Sequence, residues 1–200
     1  MKRRHFLKEL VAGAVASSVL KSPLAEAAFS SHAGQRYLRP PGALAEAEFE
    51  SRCIRCGQCG EICPNRCIEY FDLENGIDSL NTPYIVPRTK ACILCMKCGQ
   101  VCPTGALKPL QRTAESIINN VRMGKARVDE NLCLSYQGKS CGVCYRACPL
   151  QDVAIRVGIM EKPYVQEACV GCGLCERSCI QLPQAIKIIP DHLLKASAVS

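Results

Sequence analysis

The 200 residues suffice for one ordinary domain or two small ones, and they include no Trp, four Phe and six Tyr, so Leu, Ile and Val must supply most of the apolar burial. A core this thinly furnished ordinarily needs covalent staples or metals, and seventeen cysteines are present. The formal charge is +7, and no phosphate-cradling GxxxxGK(S/T), dinucleotide-binding GxGxxG, haem-attaching CxxCH or zinc-protease HExxH motif occurs, which excludes the commonest nucleotide, haem and zinc enzymes.

Residues 1–27 read as an export signal. Arg3 and Arg4, followed by Phe6, Leu7 and Lys8, match the twin-arginine pattern apart from Lys2, where Ser or Thr is usual. The apolar run over 10–20 is too short to span a bilayer, which needs about 20 residues. Ala25-Glu26-Ala27 is an A-x-A site and predicts cleavage after Ala27. Residues 28–50 then form an extended, Pro-stiffened lead-in through "RYLRPPG" (36–42) and the start of a short helix, read over 43–52, that feeds Cys53.

The cysteines follow at regular spacing. Cys53, Cys56, Cys59 and Cys63 precede Pro64; Cys92, Cys95, Cys98 and Cys102 precede Pro103. Cys133, Cys141, Cys144 and Cys148 precede Pro149 and have a longer first gap, "LSYQGKS" (134–140). Cys169, Cys172, Cys175 and Cys179 precede Ile180, which replaces a proline that is no ligand. An odd cysteine count argues against a closed disulfide framework. Structural zinc takes two separate CxxC pairs, whereas CxxCxxC delivers three thiolates from one loop to one [4Fe–4S] cluster and sends the fourth cysteine to a neighbouring cluster. Four quartets therefore predict four [4Fe–4S] clusters with all sixteen cysteines as iron ligands.

Each quartet is followed by a small residue and an aliphatic one: Cys67-Ile68, Ala106-Leu107, Ala154-Ile155 and Ala185-Ile186. This internal repeat marks the exit from a cluster loop into a strand, with the small side chain against the sulfurs. Cys67 stands where the second quartet has Ala106 and reads as a small buried filler. Strand-like "PYIV" (83–86) and "PYV" (163–165) precede the second and fourth quartets, so quartet one is paired with two and three with four. A nested arrangement, one with four and two with three, stays open. The fold class is α+β: two tandem bacterial 2[4Fe–4S] ferredoxin-like units, 51–112 and 129–189. Between them, 113–128 is a linker carrying a helix with Thr113 as N-cap and Gly124 as its stop. The tail 190–200 shows no role, and the first-gap insertion reads as solvated surface or a docking loop.

Charge changes meaning once clusters are counted. Residues 1–27 carry five basic and two acidic side chains, and four oxidised clusters with their thiolates contribute about −2 each, so the exported protein is roughly −4 and a nucleic-acid partner is excluded. Arg55, Lys97, Arg146 and Arg177 lie within the quartets, either to raise potentials, to dock an acidic partner, or as solvated charge. The histidines, His5, His32 and His192, fall outside both units.

"RPPGA" (39–43), "RCGQC" (55–59), "RMG" (122–124), "SYQGKSCGVCYRACP" (135–149) and "ACVGCGLCERSC" (168–179), together with the twin-arginine start, resemble the NapG/MauM ferredoxin-type family. The resemblance covers most of the mature chain and matches each of the sixteen quartet cysteines to a family ligand. It implies export, four [4Fe–4S] clusters, and a polytopic membrane ferredoxin partner of the NapH or MauN kind. Quinol-derived electrons would then pass to a periplasmic oxidoreductase, typically nitrate reductase, with membrane contact only through the partner. One departure bears on the route: the family usually has extra residues between the second and third cysteines of quartet two, where this chain has the plain "CILCMKC" (92–98). Another periplasmic respiratory or amine-oxidising route therefore stays open. Catalytic residues are expected to be absent, since a four-thiolate cluster has no open position for a substrate. An alternative role is an accessory factor that matures a periplasmic metalloenzyme or amine dehydrogenase.

Overall fold

In this computed structural model, residues 36–197 are described; Arg3, Arg4, Phe6, Leu7 and the cleavage point after Ala27 lie outside them. The elements are short, as expected where loops must wrap metal sites. In unit 1 they are helix α1 (Glu46–Arg52), helix α2 (Gln58–Glu61), strands β1 (Glu69–Tyr70) and β2 (Pro83–Tyr84), and helix α3 (Lys97–Gln100). Helix α4 (Ala114–Asn120) follows, then strand β3 (Gly124–Val128), helix α5 (Val143–Arg146), strands β4 (Ile155–Val157) and β5 (Pro163–Val165), helix α6 (Leu174–Ser178), strand β6 (Ile186–Pro190) and helix α7 (Asp191–Ser197). This is the mixture of small helices and strands of tandem ferredoxin-type domains.

The strand pairing repeats in the two halves. β1 leaves quartet one and pairs antiparallel with β2, which leads into quartet two. β4 leaves quartet three and pairs the same way with β5, which leads into quartet four. An outer pairing closes each half: β3 and β6 run antiparallel from Gly124↔Pro190 to Val128↔Ile186, and a single bridge, Ala43↔Leu107, takes the equivalent place in unit 1.

Three boundaries differ from the sequence reading. The first helix starts at Glu46 rather than 43, because Ala43 bridges Leu107 and the Leu44 N–H donates to the Ala106 carbonyl at 3.1 Å. The linker helix is capped by Thr113, whose hydroxyl accepts from the Ser116 N–H at 3.2 Å, but it ends at Asn120, where Val121 turns extended. Gly124 is thus no helix stop: it opens β3, so 124–128 is a sheet strand of the second unit rather than linker. The tail is also structured, since α7 packs on β3 and β6 and His192 stacks on Tyr37 with ring centroids 4.6 Å apart.

The lead-in is an anchor. Arg39, 7% exposed, pairs with Glu46 and Glu50, donates to Thr82 Oγ1 and the Pro83 carbonyl, and lies 4.6 Å from the Phe49 ring centre and 5.0 Å from that of Tyr37. Burial alone would raise the Glu46 carboxyl, but the Arg39 hydrogen bonds and charge outweigh it and hold that group below its usual range. One apolar cluster runs through both units, from Leu38 and Ile85 through Val121 and Met123 to Ile186 and Ile188.

Candidate metal centres

Each cysteine loop turns for the same local reason. The residue after the second cysteine is left-handed: Gly57 at φ 76°, Met96 at 60°, Gly142 at 55° and Gly173 at 87°. It caps the one-turn helix carrying the third cysteine, α2, α3, α5 or α6. Glycine takes this conformation without strain; Met96 does so while 1% exposed. The Cys-Gly steps were legible in the sequence as a turn signal and went unread there.

The cysteines gather across quartets. Cys53, Cys56 and Cys59 line one cavity with Cys102, the last cysteine of quartet two (site A). Cys169, Cys172 and Cys175 line another with Cys148, the last of quartet three (site C). Cys133, Cys141 and Cys144 line a third with Cys179, the last of quartet four (site D). Ala106, Ala154 and Ala185 face these three cavities respectively, so the small residue after each quartet lies against the sulfurs it was read to meet.

Cys63, Cys92, Cys95 and Cys98 are the quartet cysteines that these three cavities leave over, and are taken together as site B. Cys67 Sγ lies 3.6 Å from Cys63 Sγ. Cys95 and Cys63 are close enough to Cys98 to act on it electrostatically. Cys67 is 2% exposed. It thus occupies the alanine position of the repeat, and it brings a fifth sulfur to this set.

The donor chemistry fits an iron–sulfur core. Burial pushes the Cys59 and Cys144 thiols up to about 11 and those of Cys98 and Cys172 up to about 12. A cationic core at each site would hold such thiols as thiolates. Among the described residues, no three Cys, His, Asp or Glu side chains converge closely enough for a single ion. The sulfurs line cavities, four to each of sites A, C and D, an arrangement that a multinuclear core would fill. Backbone N–H groups point at two of them, Leu94 to Cys92 Sγ and Leu107 to Cys102 Sγ, both at 3.4 Å.

The remaining sequence candidates serve the surrounding loops. Arg55 donates to the Asp78 carbonyl at 2.7 Å, and Arg146 pairs with Glu161 at the same distance, so two of the four quartet cations tie loops down. The 134–140 insertion folds over site D: Leu134 and Ser135 line its cavity, Ser140 donates to Glu161, and Lys162 lies 5.2 Å from the Tyr136 ring centre. Sequence reasoning missed Tyr70, which lines site A, donates to the Gly57 carbonyl at 2.6 Å and accepts from the Gly60 N–H at 3.1 Å. It also missed Glu176, which is fully buried, pairs with Arg36 and accepts from the Ile188 N–H at 2.6 Å. Neither has a local signal.

Comparison with known proteins agrees with this chemistry. The 4Fe-4S dicluster domain family matches residues 52–106 and 91–151, and the 4Fe-4S binding domain family matches 166–179. The two dicluster matches overlap at quartet two, and their second register would join quartets two and three. The chain is 40% identical to ferredoxin-type protein NapG of Escherichia coli (strain K12), over 96% of this chain and 87% of that one. It is 37% identical to the methylamine utilization ferredoxin-type protein MauM of Methylobacillus flagellatus, over 96% and 85%. No described helix is long and apolar enough to cross a membrane.

Proposed function

The chain belongs to the NapG/MauM ferredoxin-type family, and from that membership we propose a periplasmic electron carrier that holds four [4Fe–4S] clusters and turns over no substrate of its own. The observation that carries this reading is the exchange of fourth cysteines, Cys102 with the Cys53 loop, Cys148 with the Cys169 loop and Cys179 with the Cys133 loop. It favours quartet one with two and three with four over the nested arrangement and over the second register of the dicluster family, because ligands must meet in space. When bound, such clusters supply one-electron chemistry. The chain's part is to supply the sixteen thiolates, to exclude water with apolar walls, and to aim N–H groups at sulfur.

Electrons come from a quinol-linked membrane ferredoxin partner of the NapH or MauN kind and leave towards a periplasmic oxidoreductase, with nitrate reductase the first candidate. The route out of the cytoplasm is the twin-arginine one. Unmetallated thiols arriving unfolded in an oxidising compartment would be mispaired or oxidised, so the protein is exported folded around its clusters.

Gene deletion tests the carrier role: it should leave the partner oxidoreductase mature but starved of electrons. An immature partner would establish the maturation role instead. Arg3→Lys with Arg4→Lys should leave a cluster-loaded precursor in the cytoplasm, and efficient periplasmic delivery of that variant would remove the folded-export step.

A further inference from the structure

The four cysteine sets stand in a spatial order that differs from their order along the chain. Sites A and B adjoin: α2 packs on α3, and Cys98 of site B shares an apolar cluster with Cys53, Cys59 and Cys102 of site A. Sites C and D adjoin in the same way, through α5 on α6, which carry Cys144 and Cys175. The halves meet at B and C, where the Cys92 N–H donates to the Cys172 carbonyl at 3.0 Å.

The same junction is reinforced on both sides. Arg88 of unit 1 donates to the carbonyls of Glu176, Arg177 and Cys179 at 3.2, 3.0 and 3.1 Å, gripping the C-terminal end of α6. Pro87 lies so close to Gly173 that an added Cβ would come within 2.3 Å of it. Burial follows the same order. Three cysteines of site B and two of site C are buried, against none of site A and one of site D.

We infer that the four sites form a single-file electron path A–B–C–D, crossing between units at the Cys92–Cys172 contact, with sites A and D as its two ports. Quartet three, although third in sequence, thus supplies the far end. This rests on the four-cluster reading above. Each step moves one electron and no proton or atom: one site is oxidised as its neighbour is reduced. A reduced one-electron partner centre loses the electron at one port, and an oxidised one gains it at the other. Both ports carry an exposed apolar side chain, Ile54 (62%) lining site A and Ile180 (61%) lining site D.

The test uses magnetic coupling in dithionite-reduced, anaerobically purified protein, with no partner present. Replacing Cys53, Cys56, Cys141 and Cys144 by Ala leaves only sites B and C, and their electron paramagnetic resonance should show the splitting and fast relaxation of interacting spins. Replacing Cys92, Cys95, Cys169 and Cys172 by Ala leaves only A and D, which should give two sharp, uncoupled signals. Uncoupled B and C, or coupled A and D, overturns the order. Pulsed measurement of spin–spin distances in the unmutated, partly reduced protein serves the same end if these variants fail to fold. It should reveal three short neighbour spacings, one of them between units, and only two would overturn the inference. Iron content separates the failures. Well below about sixteen per chain in the unmutated protein removes the four-cluster reading and the path with it, whereas full loading with the wrong couplings removes the path alone.

Discussion

Gly173→Ala should weaken the joint between the two units, and a second glycine in the same backbone region, Gly138, allows the cost to be divided. Gly138 has φ +82° with nothing within 4 Å of an added Cβ; Gly173 has φ +87°, but its Cβ would lie 2.3 Å from Pro87 Cβ and 3.3 Å from Pro87 Cα. Holding alanine left-handed costs about 1–2 kcal/mol, offset by ~0.4–1 kcal/mol from the stiffer unfolded chain, so Gly138→Ala should cost about 1 kcal/mol. Overpacking against a rigid ring adds about 1–3 kcal/mol. Bound metal makes a single unfolding free energy ill-defined, so the assay is the rate at which anaerobic holoprotein loses its visible cluster absorbance in guanidinium. Each ~1.4 kcal/mol that reaches the barrier is tenfold in rate, and Gly173→Ala should bleach roughly tenfold faster than Gly138→Ala or more. Pro87→Gly in the same chain should recover most of that difference, as a double-mutant cycle measures it. Equal rates for the two glycine variants, or no recovery, would show that Pro87 and Gly173 do not press on each other.

Three further outcomes follow from the sites. Cys67→Ser should leave iron and sulfide at about sixteen each per chain, and loss of a whole cluster would make Cys67 a ligand. Cys63→Ser should disturb the cluster of Cys92, Cys95 and Cys98; spectroscopic change at that of Cys169, Cys172 and Cys175 instead would restore the nested arrangement. Because Glu46 is held below its ordinary 4.5, its contribution to stability is present above that value and is lost as pH falls through the lowered one. Glu46→Gln should therefore be less stable than the native chain at neutral pH and show a shallower loss on acidification below about 4.5, read as holoprotein remaining by absorbance; parallel acid profiles would remove Arg39–Glu46 as an anchor.

What could be read from sequence was what repeats locally. The x2, x2, x3 cysteine spacing, the Ala154-Ile155 type of exit and the strands at Pro83 and Pro163 are each set by a few neighbouring residues, and they lie where their chemistry put them. What escaped depends on residues far apart. Gly124–Val128 looks like linker because the strand it pairs with, Ile186–Pro190, lies about sixty residues on. Arg39 and Glu176 look like surface charges until Glu46, Phe49, Arg36 and the Ile188 N–H are brought against them. The contact between the units was equally hidden, since it joins residues as far apart in sequence as Cys92 and Cys172 or Arg88 and Cys179.

That hydrogen bond also bears on how the chain can fold. Many of the buried apolar residues sit directly against cysteine: Ala106 and Leu107 at site A, Ala154, Ile155 and Val170 at site C, Ala185 and Ile186 at site D. Without a core to bind, those walls would close on empty space between thiols, and the short strands would have little to pack against. Metal binding and folding are then one event in each half. The Cys92 N–H and Arg88 of one half reach carbonyls in the cluster loop and helix of the other, so the junction needs the folded loops of both halves. A chain assembled in this way would gain nothing from crossing a membrane unfolded, which is the physical reason for the folded-export route proposed above.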